Sequence, residues 1–162
     1  MEALNIRKKS VQDTGWVKTI LIENWGSEKI VLQGRILEPI ELHGFIATMK
    51  KERVGLVTYL INPPLCEIIT LNSLLSGIGI GTKLVNEVIK AALEKNCSKI
   101  CVFTTNDNVD AFRFYQKVGF HLDKLIRNGV EPDRKIKSEI PMTSEHGIAI
   151  RDYLLFTMDI KQ

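Results

Sequence analysis

Apolar residues along this chain fall mostly into short alternating or continuous runs, and only a few windows carry the three-to-four-residue spacing of an amphipathic helix. Residues 4–9 read as a short strand and residues 11–25 as a helix, with Trp16, Ile20 and Trp25 directed at a core. Residues 43–49 and 53–61 are β-rich runs joined by Lys50-Lys51-Glu52, which predicts an antiparallel hairpin, and Pro63-Pro64 closes the second run. CEIITLN, residues 66–72, is a further strand. A helix is expected from about Gly81 to Lys95, with Leu84, Val85, Val88, Ala91 and Ala92 on one face. KICVFTT, residues 99–105, is the expected parallel partner of CEIITLN across a strand–helix–strand crossover. A short helix over 108–117, a strand over 119–125 and a last strand over 153–160 follow, with a long polar segment, 126–152, between the last two. A connection of that length inside a compact domain is functional or disordered as a rule. The pattern predicts an α/β sheet protein with antiparallel hairpins at the front and one parallel βαβ unit in the middle.

Composition narrows the class. At 162 residues, with 44% hydrophobic and 25% charged positions, the chain has the size and balance of one globular domain, taken as residues 1–162. No stretch approaches the roughly 20 apolar residues of a membrane span, and the start, MEALNIRKKS, lacks the basic-then-apolar order of a signal peptide. A cytoplasmic protein with no membrane partner is expected. The net charge of +3 is spread along the chain, so nucleic acid is not the expected partner. Cys66, Cys97 and Cys101 form no CxxC pair and have no histidine at ligand spacing, and His43, His121 and His146 lie far apart. Buried reduced thiols and no metal are expected.

One stretch asks for chemistry: Ser76-Gly77-Ile78-Gly79-Ile80-Gly81-Thr82-Lys83 sets three alternating glycines before the 81–95 helix. On the glycines alone two readings are open: a flexible or glycine-lined turn before a helix, or a loop that brings backbone amides to phosphate oxygens at a helix N-terminus, where the macrodipole favours negative charge. The dinucleotide fingerprint Gly-x-Gly-x-x-Gly fails, because counting from Gly77 puts Thr82 at the last glycine. A P-loop fails as well, since Thr82 intervenes between Gly81 and Lys83.

With its downstream partner the loop resembles the GNAT superfamily of acetyl-CoA-dependent N-acyltransferases. That family's signature is Gln/Arg-x-x-Gly-x-Gly/Ala between a strand and a helix, then Asn-x-x-Ala-x-x-x-Tyr-x-x-x-Gly-Phe. Here Ser76 to Gly81 stand at the first motif, and Asn108, Ala111, Tyr115, Gly119 and Phe120 fit the second. Cys66-Glu67-Ile68, Thr104 to Asn108 and Ile150-Arg151-Asp152 further resemble a bacterial branch of uncharacterised acetyltransferases. The resemblance implies a mixed, mostly antiparallel sheet of about six to seven strands around the central βαβ unit, with flanking helices. It also implies acetyl-CoA as co-substrate and, through relatives that pair by sheet edges, allows a homodimer. Ser76 and Ile78 depart from the family's usual side-chain donors, but the amides of Ile78, Gly79, Ile80, Gly81 and Thr82 remain, so binding is expected to survive.

The same resemblance implies roles. The CEIITLN and KICVFTT strands would splay, and the backbone near Leu71 and Asn72 would bond to the pantetheine arm, with an amide there polarising the thioester carbonyl. Tyr115 is the candidate general acid toward the departing thiolate; its other reading is a half-buried aromatic. Glu67 is the candidate base for the protonated amine, or else a strand-end carboxylate in a salt bridge. Asn108 is suited both to bond the cofactor and to cap the helix it precedes. In the 126–152 segment, Arg134 and Lys137 are candidates to read an acidic group on the acceptor, whereas Arg151 beside Asp152 reads first as an ion pair.

The function expected is transfer of an acetyl group from acetyl-CoA to a primary amine of a small molecule or peptide, directly and in a ternary complex. Cys66 and Cys101 lack a base partner, so no acyl-cysteine is expected. The alternative is a catalytically inactive acyl-CoA-binding sensor or interaction domain, which Ser76 supports. A third reading, acetylation of an RNA-borne amine, is disfavoured by the weak basicity.

Overall fold

The computed structural model describes residues 3–161. In chain order its elements are β1 (Asn5–Lys8), α1 (Thr14–Trp25), β2 (Ile30–Leu32), β3 (Arg35–Leu37), β4 (His43–Met49), β5 (Glu52–Asn62), β6 (Leu65–Ser73), α2 (Ile80–Glu94), β7 (Lys99–Thr105), α3 (Val109–Val118), β8 (His121–Ile126), α4 (Val130–Ile136) and β9 (Tyr153–Asp159). Seven strands form one sheet in the order β1-β4-β5-β6-β7-β9-β8, while β2 and β3 make a separate two-stranded ribbon. Of the pairs in the large sheet, β6 with β7 is parallel and the rest are antiparallel. The mixed α/β fold with its central βαβ unit is therefore the one expected.

Local chemistry accounts for the elements. The β4–β5 hairpin turns through Lys50 and Lys51, at φ 52° and 65°, the doubly positive geometry whose twist matches that of the flanking strands. Helix α2 buries Leu84, Val85, Val88 and Ala92 completely, with Ala91 packed at the margin, against the face of the sheet that carries Val57, Ile68 and Ile100. Each such side chain is worth about 1.5–3 kcal/mol when withdrawn from water. On the opposite face α1 buries Val17, Ile20 and Leu21 against Ile46 and Leu56, and the β2–β3 ribbon adds Ile30 and Leu32 to the same cluster. Trp16 and Trp25 are only partly buried there.

Three features depart from expectation. The helix predicted over 11–25 begins with a 3-10 turn, Val11–Asp13, because the Asp13 carboxylate folds back to accept the Ser10 N–H at 2.8 Å. Residues 26–42 carry the β2–β3 ribbon, which the hydrophobic pattern did not predict. The polar segment 126–152 also has structure: it contains α4, which tolerates Pro132 because its first-turn amides have no intrahelical partner to lose. The three cysteines are free and buried, as expected.

Candidate active site

Parallel pairing of β6 with β7 runs from Leu65 opposite Lys99 to Ile68 opposite Val102 and stops. Beyond that point β6 continues along β5 to Ser73 and β7 continues along β9 to Thr105, so the two strands part into a wedge. A bulge bends β6 at that level: Thr58 pairs with Thr70 but Tyr59 with Ile68, leaving Ile69 as the extra residue. The buried hydroxyls of the Thr58–Thr70 pair, 2.6 Å apart, border the bulge on one side. Leu71 and Asn72 lie on β6 past the divergence, where the edge facing β7 has lost its ladder.

Among the described residues three buried polar atoms have no partner: Asn72 Oδ1 on β6, Thr104 Oγ1 on β7, and Asp107 Oδ1 in the turn before α3. All belong to the segments that flank the wedge. Orphaned buried acceptors are uncommon and call for an explanation, such as a ligand supplying the missing bond.

The glycine loop leads from β6 into α2. Gly77 and Gly79 both adopt φ 78°, which L-residues with side chains rarely tolerate. The first helical bond runs from Lys83 N–H to Gly79 C=O at 3.0 Å, so the N–H groups of Ile80, Gly81 and Thr82 have no acceptor within the helix. The start of α2 is held by close approach on two sides. A Cβ on Gly55 of β5 would stand 2.5 Å from Ile80 Cγ2, and one on Gly81 would stand 3.0 Å from the Phe114 ring of α3. Ile78 is exposed in the loop.

Tyr115, on α3, is 5% exposed, with its ring between Phe114, Phe120 and Phe156 at centroid distances of 5.2, 5.3 and 5.8 Å. Burial pushes its phenol well above the ordinary value. Asn108 caps α3, its Oδ1 accepting the Ala111 N–H at 3.0 Å.

Glu67 lies one residue before the end of the parallel pairing and faces the side of the sheet that α1 covers. Its two carboxylate oxygens accept hydrogen bonds from Arg35 of β3, at 2.8 and 2.7 Å. Burial pushes the neighbouring Cys101 thiol up to about 12, with Glu67 adding to the effect, and Cys66 is also raised to about 12. Neither thiol is a ready nucleophile.

The two acceptor-reading candidates stand apart from these groups. Arg134 donates to the carbonyls of Ile140, Pro141 and Ile150 and pairs with Glu131. Lys137 Nζ donates to the carbonyls of Trp25 and Lys29, at 2.7 and 2.9 Å. Both cations brace the chain's own backbone. Arg151 pairs with Asp152, as expected.

Arg35 is the neighbour of Glu67 that sequence reasoning missed. A local signal existed: Ile30-Val31-Leu32 and Arg35-Ile36-Leu37 flank Gln33-Gly34, a two-residue hairpin spacing with glycine at the second turn position. The contact across 32 positions of sequence had none.

Residues 15–120 match the family model described as the acetyltransferase (GNAT) family. The chain belongs to the GNAT acetyltransferase family. It is an acyltransferase by family. The uncharacterised protein YxbD of Bacillus subtilis (strain 168) is 40% identical over 146 residues, spanning 90% of this chain and 92% of its own. A second uncharacterised protein of that organism, YdhI, is 41% identical over 136 residues, or 83% and 85% of the two chains. Among solved structures, an IAA acetyltransferase from Bacillus cereus ATCC 14579 superposes with a TM-score of 0.77 at 22% identity, over 98% of this chain and 100% of the other. A GNAT acetyltransferase from Elizabethkingia anophelis, solved with acetyl-CoA bound, gives 0.70 at 20% identity, over 97% and 98%. At these identities the likeness is one of fold.

Proposed function

We propose that this GNAT enzyme transfers an acetyl group from acetyl-CoA to a primary amine on a small molecule or peptide, by direct attack within a ternary complex. The observation that carries the reading is the wedge between β6 and β7, flanked by orphaned buried polar atoms and capped by a helix whose first amides lack acceptors. A pantetheine arm is long, narrow and rich in amides, so it suits a gap between two strand edges. A pyrophosphate suits the α2 N-terminus. The donor set thus fits acetyl-CoA, with the amides of Ile78, Gly79, Ile80, Gly81 and Thr82 toward the phosphates and the backbone of Leu71 and Asn72 toward the arm. Asn108, whose Oδ1 is spent on capping, keeps its amide donors for the same ligand.

Bound acetyl-CoA supplies a thioester: the amine nitrogen adds its lone pair to the carbonyl carbon, and the C–S bond breaks with its electron pair leaving on sulfur. The chain's own residues do the rest. The amide near Leu71 polarises the carbonyl oxygen. Glu67 takes the proton that the amine must lose, directly or through water; a carboxylate has about four lone-pair sites, so the two bonds from Arg35 leave acceptor capacity. Tyr115, a phenol that carries its proton at neutral pH, donates to the departing thiolate. Thiols raised to about 12 at Cys66 and Cys101 favour this route over an acyl-cysteine.

A single domain over 1–162, working in the cytoplasm, suits three free, buried cysteines and the absence, among the described residues, of a helix long and apolar enough to cross a membrane. The test is thermal stability with acetyl-CoA, CoA, NAD and ATP, followed by CoA thiol release across a panel of primary amines. Stabilisation by acetyl-CoA and CoA alone, with amine-dependent thiol release, is expected. Folded protein that none of the four ligands stabilises would sink the proposal.

A further inference from the structure

The β2–β3 ribbon forms no ladder with the large sheet, and a two-stranded hairpin on its own is marginal in water. Its apolar residues dock it, but apolar contact is non-directional and does not aim a long side chain. Yet Arg35, the first residue of β3, meets Glu67 in a two-point bond that requires a fixed approach. Something must orient the ribbon.

The orienting group is Asp133 of α4, whose side chain is fully buried. Leu32 opposite Arg35 closes a two-residue turn at Gln33 and Gly34, with φ 53° and 76°. Both turn amides donate to the one carboxylate: Gly34 N–H to Oδ1 at 2.7 Å and Gln33 N–H to Oδ2 at 2.9 Å. The hydroxyl of Tyr153, on β9, donates to Oδ2 at 2.6 Å. Two bonds from adjacent amides fix a turn's rotation as well as its position. The next residue is Arg35.

We infer that Asp133 is a positioning residue for the candidate base: it locks the Gln33–Gly34 turn, the turn aims Arg35, and Arg35 holds the Glu67 carboxylate at the mouth of the wedge. The inference rests on the reading of Glu67 as base. The charge of Asp133 also reaches Arg35, whose guanidinium is raised chiefly by its bond to Glu67 and, to a smaller extent, by Asp133. An asparagine cannot substitute, because both carboxylate oxygens accept N–H bonds and whichever became NH₂ would face a donor.

The test uses the full chain. Arg35 Nε–H donates to the Leu32 carbonyl within the ribbon, so the reporter is the Nη–Hη signals that donate to Glu67. In ¹⁵N spectra, assigned with Arg35→Lys, these should exchange with solvent faster in Asp133→Asn. The corresponding signals of Arg7 and Arg53, both bound to Asp13, should not change, which separates local release from unfolding. Tyr153→Phe removes one donor of three and is the milder variant should Asp133→Asn fail to fold; it should move the Arg35 signal in the same direction. With acetyl-CoA and the best amine of the panel, Asp133→Asn should lower kcat by about 10-fold or more, since misplacement by ~1 Å can cost about 10²-fold. In a Glu67→Gln background it should cost nothing further. An unmoved Arg35 signal, or an equal loss in both backgrounds, overturns the positioning role. Should Glu67→Gln alone leave turnover intact while the Arg35 signal still responds to Asp133→Asn, the base reading fails and the mechanical link stands without a catalytic purpose.

Discussion

Glu67 and Tyr115 stand on opposite faces of one sheet: Glu67 on the side covered by α1 and the β2–β3 ribbon, Tyr115 within the layer under α2 and α3. A sheet in register would keep them apart. The ladder between β6 and β7 ends at Ile68 and Val102. Under the roles proposed above, the acceptor of the amine's proton and the donor to sulfur would approach the thioester from the two sides of that gap.

Tyr115→Phe should leave the fold intact, because the ring contacts with Phe114, Phe120 and Phe156 do not involve the hydroxyl. If Tyr115 protonates the leaving thiolate, kcat should fall about 10²-fold, the lower end for loss of a general acid, with KM for acetyl-CoA little changed. Steady-state kinetics by CoA thiol release decide it. An unchanged kcat would return Tyr115 to the role of a core aromatic.

Glu67→Gln should separate activity from stability. Arg35 is about two-fifths exposed but the Glu67 side chain only 10%, so replacing this two-point charged bond with an amide's should cost about 1–3 kcal/mol in urea unfolding. Turnover should drop about 10²-fold or more. A variant as active as the parent but markedly less stable would make Glu67 a structural partner of Arg35 and nothing else.

Much of this was legible in the chain because it is local. The glycine loop, the Asn108 cap, the apolar face of α2 and the β4–β5 hairpin each depend on residues within one or two turns of one another, where propensity and spacing act directly. What escaped is nonlocal or short. Strands of three residues, as in β2 and β3, cannot show periodicity, and α4 is concealed by Pro132 and a polar composition. The uses of Arg134 and Lys137 were not legible either. Residues of either type on a polar segment look like free cations until the carbonyls that they brace, Ile150 for one and Trp25 for the other, are brought to them by tertiary structure.

Gly55→Ala tests from a distance the placement of α2, whose first amides are proposed to hold the cofactor's phosphates. A methyl at that position meets Ile80 Cγ2 at 2.5 Å and Leu84 Cδ1 at 3.1 Å, which must push the first turn of α2 off β5. Overpacking of this kind costs typically 1–3 kcal/mol, so the protein should remain folded but melt lower. Because the α2 amides move with the turn, the stabilisation by acetyl-CoA, about 2.7 kcal/mol at 100 times its dissociation constant in the parent, should shrink at the same ligand concentration. Undiminished stabilisation would mean that the cofactor's phosphates do not sit on those amides.

Arg134→Ala should behave as a stability mutant. Its guanidinium ties α4 to the carbonyls of Ile140, Pro141 and Ile150, and truncation strands three acceptors in a stretch with little secondary structure. A loss of about 1–3 kcal/mol is expected, together with faster amide exchange over residues 137–152. KM for the amine should change no more than the folded fraction requires. A selective rise in KM for acidic acceptors, at unchanged stability, would reinstate Arg134 as a reader of substrate charge.

Acid should attack the protein at Asp13. This fully buried carboxylate accepts from Arg7 at 2.8 and 2.7 Å, from Arg53 at 2.9 Å and from the Ser10 amide at 2.8 Å, joining β1, β5 and the start of α1. The bond from Arg7 is the largest cause of a pKa held far below the ordinary 3.8, against a desolvation that opposes it. A carboxyl group depressed in the folded state binds its proton more readily when unfolded. Its contribution to stability is therefore complete above about pH 5 and is lost as pH falls through 3.8 and lower. Asp13→Asn should cost about 2 kcal/mol at neutral pH, where charge-assisted bonds are exchanged for weaker ones. It should also flatten the fall in stability between about pH 5 and pH 3, since the proton-linked group is gone. Urea unfolding at several pH values measures both. A parent and variant that lose stability in parallel over that range would show that another carboxylate governs the acid transition.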